Sequence, residues 1–212
     1  MARTLRQGAA HSARRGVAVT GVAAALLAVT GLIPGVATPA SAASRQFGPA
    51  VEAYGGYEPQ LTCDPTPKAG TKGLADYLVR TYPGTGSLGI SRRCDIGGRS
   101  EHKEGRAFDW AVDYDEPAQR AQAEAFFRWL LATDAYGNSH AMARRLGIMY
   151  VIWDGQIWSA SSLEWRPYSG ASAHRDHVHI SLTWPGALGR TSFWTGQAAP
   201  TPAPAPAPAP HP

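Results

Sequence analysis

Residues 148–160, IMYVIWDGQIWSA, set two apolar, β-prone runs on either side of Asp154-Gly155. Asp-Gly between such runs signals a two-residue hairpin, and a hairpin means antiparallel pairing. Two other stretches alternate with the period of a strand. Residues 107–112 (AFDWAV) place Phe108 and Trp110 on one face and Asp109 on the other, and residues 177–183 (HVHISLT) bring His177 and His179 to a common face. Residues 88–94 read as a further short strand.

Helical patterns are interleaved with these runs. Residues 71–82 (TKGLADYLVRTY) line up Leu74, Tyr77, Leu78 and Thr81, and Pro83-Gly84 ends the run. Residues 117–133 open on Pro117 behind Asp115-Glu116, which favours a helix start. A short helix over 139–146 is stopped by Gly147. The mixed order predicts an α+β fold, one small domain with a central, mainly antiparallel sheet and helices packed on it.

A hydrophobic content of 44% with 17% charged residues is that of an ordinary globular chain, and 212 residues allow one domain with appendages. The net charge of +4 is misleading. Arg3, Arg6, Arg14 and Arg15 precede residue 43 with no acid among them, so the remaining 16 basic residues balance 16 acidic ones. A basic nucleic-acid-binding surface is therefore not expected.

The first 42 residues pair these arginines with an apolar run (17–33) and end in Ala40-Ser41-Ala42. This is the layout of a secretory signal peptide, for Sec or twin-arginine export, with no stable membrane insertion after cleavage. The expected order is signal peptide (1–42), N-terminal linker (43–56), domain (57–197) and an extended Ala/Pro-rich tail (198–212), in a secreted or cell-wall monomer. Export gives Cys63 and Cys94, the only cysteines, a meaning: a disulfide is expected, closing a loop of about 30 residues and stabilising by roughly 3–4 kcal/mol.

Three of the seven histidines crowd into residues 173–181, AHRDHVHIS. His102 follows a Gly-rich stretch, Gly105 turns the chain, and Asp109 comes seven residues after His102. Two histidines and a carboxylate, with one position open for water, are the ligand set of a catalytic zinc. A His-x-His pair alone is better explained by packing or surface histidines, and the His102–Asp109 spacing alone carries little; together they point to a metal. His174 reads as a surface histidine, with lining the pocket as the lesser alternative, and His140 as structural. Most tryptophans read as core and hairpin packing, while Trp165 and Tyr168 are candidates to wall a groove.

Residues 100–109, SEHKEGRAFD, resemble the S-x-H-x-x-G-x-A-x-D signature of zinc D-Ala-D-Ala carboxypeptidases (VanY-like), and Asp176-His177-Val178-His179 resembles their second signature, acid-His-x-His. These enzymes belong to the LAS metallopeptidases, with lysostaphin-type enzymes and hedgehog domains. The resemblance spans roughly residues 70–185. It implies a small α+β fold with zinc above an antiparallel sheet, and hydrolysis of peptidoglycan stem or cross-link peptides by a D,D-carboxypeptidase or endopeptidase. It makes His102, Asp109 and His179 the Zn2+ ligands, Asp176 the general base and His177 the stabiliser of the oxyanion. Asp176 stands where many members carry Glu, and its role requires the strand to begin after it, since regular pleating would turn it away from His177 and His179. An arginine upstream of the first ligand would hold the substrate carboxylate; Arg92, Arg93 and Arg99 are the candidates, and Arg93 is the choice.

Hedgehog domains keep such a site without established peptidase activity, so a non-catalytic zinc module binding wall peptides or a protein is the alternative. A metal-dependent nuclease is disfavoured by neutral charge and export.

Overall fold

A computed structural model describes residues 46–197, so the expected export signal and Ala/Pro tail lie outside the described residues. The elements run α1 (Ala69–Thr81), β1 (Gly86–Gly89), one 3-10 turn (Glu101–Glu104), β2 (Ala107–Ala111), α2 (Pro117–Leu131), α3 (Ala141–Leu146), β3 (Ile148–Trp153), β4 (Gln156–Ser159), β5 (Trp165–Pro167), β6 (His177–Leu182), α4 (Trp184–Ala187) and α5 (Ser192–Thr195). The six strands form one antiparallel sheet in the order β1-β2-β6-β3-β4-β5. The fold is α+β, as the alternating runs predict.

Side-chain period divides the sheet into two unlike faces. Phe108, Trp110, Val151, Trp158, Val178 and Ile180 point to the core, where they meet Leu74 and Leu78 of α1 and Phe126 and Leu130 of α2. Each such side chain contributes about 1.5–3 kcal/mol by leaving water. The register sets Asp109 opposite His179, Ile152 beside His179 on its other flank, and Tyr150 opposite Ser181, all on the second face. The hairpin turn falls at Asp154 and Gly155 with φ of 45° and 68°, positive at both positions as the tight turn requires.

Three stretches differ from expectation. Residues 90–94 do not extend β1, because their backbone is used elsewhere: the Ile90 carbonyl bonds the His102 ring, Arg92 N–H donates to the His102 carbonyl, and Cys94 is bonded to Cys63 with their Cα atoms 5.9 Å apart. The three-residue β5 is too short for its pattern to show. Residues 46–56, expected as linker, lie against the domain. There Phe47 stacks on Phe193, the buried Arg145 guanidinium donates to the Gly48 and Ala50 carbonyls, and Ser192 donates to the Glu52 carboxylate. Among the described residues no helix is long and apolar enough to cross a membrane.

Candidate metal centre

The stretch 100–109 is shaped by its small residues. Ser100 Oγ accepts from His102 N–H and caps the 3-10 turn, and Gly105 closes it with φ 63°. A Cβ at Gly105 would lie 2.0 Å from the Thr66 carbonyl oxygen, so both conformation and space demand glycine. Lys103 reaches from the turn to the carbonyls of Cys94 and Gly97, and Glu104 accepts from Leu61 N–H and Thr62 N–H and pairs with the buried Arg106. The turn is thereby bolted to both sides of the disulfide.

It delivers His102 to the open face of the sheet, beside the cross-strand pair Asp109 and His179. His102 Nε2 lies 3.1 Å from Asp109 Oδ1 and 3.2 Å from His179 Nδ1, and His179 Nδ1 lies 2.9 Å from Asp109 Oδ1. These three residues form a group that could hold a metal ion. Without a metal, burial favours the neutral acid of Asp109, but a ring N–H turned towards it by His102 or His179 outweighs burial and holds the carboxyl well below the usual range. Burial pushes His179 down, towards neutral imidazole.

The donor set fits a cation. The Ile90 carbonyl can only accept, so His102 Nδ1, 2.8 Å away, carries the proton and a neutral ring presents the Nε2 lone pair to the cluster. Donor atoms on a metal about 2.0–2.1 Å away in tetrahedral geometry stand about 3.3 Å apart. The observed separations are close to that value, and lone pairs this near one another repel unless a positive charge sits among them.

Strand β6 begins at His177, so Asp176 lies just before the regular pleat. The exposed Asp176 carboxylate accepts from His177 Nδ1 at 2.8 Å rather than joining the cluster, and this bond draws its pKa down. His177 Nε2 is 3.7 Å from Asp109 Oδ1 and is the atom that faces the site. The loop before it is held on both sides: Asp154 N–H and Gly155 N–H donate to the His174 and Ala173 carbonyls, and Arg175 pairs with Asp115 and Asp154.

Arg93 is not brought into the cluster. Its guanidinium is 76% exposed and gripped by Asp95 through two hydrogen bonds. Arg92 is half-buried and Arg99 exposed. His174, read from sequence as a surface residue, is half-buried with its ring 4.8 Å from that of His177 and 5.8 Å from that of His179. Its φ of 51° and the turn around it leave no periodic signal by which to place it. Tyr168 lines a cavity of about 340 Å³ on the open face with Tyr57, Tyr150, Ile152, Ile157 and Ser159, next to the cluster through the Tyr150 ring on His179. Trp165 does not. It pairs with Trp158 on the helix side and packs on Phe127 of α2. A second cavity, about 440 Å³ between α1 and β1, holds none of the cluster residues.

A model of the family described as VldE, C-terminal domain, matches residues 63–179, more than half of the chain. The match opens on Cys63 and closes on His179, so it contains both cysteines and all three cluster residues. No curated protein and no solved structure matches the chain.

Proposed function

We propose that this chain, which belongs to the VldE C-terminal domain family, is a secreted zinc peptidase that hydrolyses peptidoglycan stem or cross-link peptides. The observation that carries this reading is the convergence of His102 Nε2, His179 Nδ1 and Asp109 Oδ1 beside a histidine whose outer nitrogen is held by a carboxylate. The substrate class is supported by the resemblance of residues 100–109 and 176–179 to zinc D-Ala-D-Ala carboxypeptidases. The Cys63–Cys94 disulfide is at home in an oxidising compartment, which supports export.

Zinc in such a site supplies Lewis acidity, lowering the pKa of a water to about 7 and polarising a carbonyl. The chain's own residues move the proton. His177 donates Nδ1–H to Asp176, so its Nε2 lone pair accepts a proton from the attacking water. Asp176 holds the ring in that tautomer and stabilises the imidazolium. His177 then returns the proton from Nε2 to the leaving amine. The cavity at Tyr150, Ile152, Ile157 and Tyr168 has no charged side chain in its lining and suits the uncharged part of a peptide.

The test is digestion of soluble cross-linked muropeptides and of a stem pentapeptide ending in D-Ala-D-Ala by the zinc-loaded protein, read by mass spectrometry with and without chelator. Loss of one terminal alanine marks a carboxypeptidase, and splitting of dimers an endopeptidase. Absence of product from a protein that holds zinc would overturn hydrolysis in favour of a binding module.

A further inference from the structure

We propose that Glu101, acting through Ser181, fixes the tautomer and orientation of His179 so that Nδ1 presents its lone pair to the metal. Glu101, Ser181 and Tyr150 are then positioning residues. This rests on the metal-site part of the reading above and not on peptide hydrolysis.

Ser181 Oγ lies 2.9 Å from His179 Nε2 and, at a longer 3.4 Å, from Glu101 Oε2. The Tyr150 hydroxyl donates to the same Oε2 at 2.6 Å. A carboxylate only accepts, and a serine hydroxyl has one proton to give. If that proton goes to Glu101, the oxygen is left to receive Nε2–H from His179. Ring, hydroxyl and carboxylate are then satisfied in one direction, and in metal-free protein this relay outcompetes Asp109 Oδ1, which lies 2.9 Å from His179 Nδ1 and is the rival acceptor for the ring proton. The reverse direction would strip the 4% exposed Glu101 of a donor, which a buried anion tolerates poorly.

With the proton on Nε2, the His179 lone pair is on Nδ1, the atom that faces His102 and Asp109. The Tyr150 ring lies over the imidazole at 5.6 Å and 24°, fixing its plane as well. Backbone register assembles the relay: Ser181 is two residues after His179 on the same face, Tyr150 is opposite Ser181, and Glu101 precedes His102 in the 3-10 turn. The two histidines are held differently, His102 by a neutral carbonyl and His179 by a chain that ends on a charge. Negative charge behind a ligating imidazole makes it a stronger donor.

Two readouts test this without peptidase activity: zinc affinity by competition with a chromophoric chelator, and ¹H–¹⁵N correlations of the imidazoles in metal-free protein. We expect wild-type His179 to show the Nε2–H pattern alone. Ser181→Ala and Glu101→Gln should mix tautomers and lose about 10- to 100-fold in zinc affinity, while Ser181→Thr, which keeps the hydroxyl, should stay within about threefold of wild type. A Ser181→Ala protein with a single Nε2–H tautomer and unchanged affinity would overturn the relay. Should Glu101→Gln fail to fold, the two Ser181 variants decide. A wild type that binds no zinc would remove the metal centre, and the tautomer pattern would still judge the relay.

Discussion

The Asp176 carboxylate and His177 Nδ1 lie 2.8 Å apart, and this contact decides which nitrogen of His177 faces the cluster of His102, Asp109 and His179. Resemblance alone makes Asp176 the base and His177 the oxyanion stabiliser. The geometry favours a division in which His177 takes the proton and Asp176 orients it. We expect His177→Ala to lower kcat by about 100- to 10,000-fold with zinc still bound. Asp176→Ala should cost about 10- to 100-fold, as the loss of an orienting partner does. Steady-state kinetics with metal analysis on both proteins check this. A larger loss in Asp176→Ala than in His177→Ala would return the base to Asp176.

Metal should stabilise the fold through the same three residues. At free zinc 100 times Kd, linkage predicts about 2.7 kcal/mol. Thermal unfolding should shift upward on zinc addition for the wild type and stay put for His102→Ala or Asp109→Asn. An equal shift in these variants would place the ion elsewhere.

Gly105 is held at φ 63° with the Thr66 carbonyl 2.0 Å from where a Cβ would stand. The left-handed conformation alone costs a non-glycine residue about 1–2 kcal/mol, and the clash adds to it. Gly105→Ala should therefore lose more than about 2 kcal/mol in urea unfolding and weaken zinc binding, because the turn that presents His102 must move. A protein of unchanged stability would contradict the tight approach.

Replacing both cysteines by serine removes a cross-link spanning 31 residues of sequence, worth about 3–4 kcal/mol in the chain-entropy model. The loss should appear in the urea midpoint. A smaller but measurable fall in zinc affinity should accompany it, since Cys94 sits in the loop whose Ile90 carbonyl bonds His102.

Asp134 contributes a separable part of the pH dependence of stability. Burial would raise its pKa, but hydrogen bonds from Asn138, Arg145 and Tyr136 outweigh this and draw it down to about 2 from an ordinary 3.8. A depressed carboxyl stabilises the fold above its unfolded pKa and ceases to do so as pH falls through the folded one. The stability difference between wild type and Asp134→Asn should be full above about pH 5 and fade towards pH 2. A pH-independent difference would show that the charge on Asp134 is not what holds Arg145.

What the sequence discloses follows from period. Strands β2 and β6 alternate over five and six residues, so Asp109 and His179 can be set on the face opposite Phe108 and Ile180 before any coordinates exist. Asp154-Gly155 marks the hairpin, and Pro117 and Gly147 mark helix ends. What escapes has no period. Residues 46–56 pack as irregular chain on Arg145, β5 spans three residues, and His174 sits in a turn at positive φ. Arg93 escapes for a different reason: Asp95, two residues on, captures its guanidinium locally, and spacing to a distant ligand cannot reveal that. Glu101 was visible only as the residue beside His102, because its partner Ser181 is 80 residues away.

The most direct test is anomalous scattering at the zinc edge from crystals of the zinc-loaded protein. We expect a single strong peak bonded to His102 Nε2, Asp109 and His179 Nδ1, with nitrogen distances of about 2.0–2.1 Å. A peak bonded to other residues, or none at this cluster in protein saturated with zinc, would contradict the metal centre on which the proposed chemistry stands.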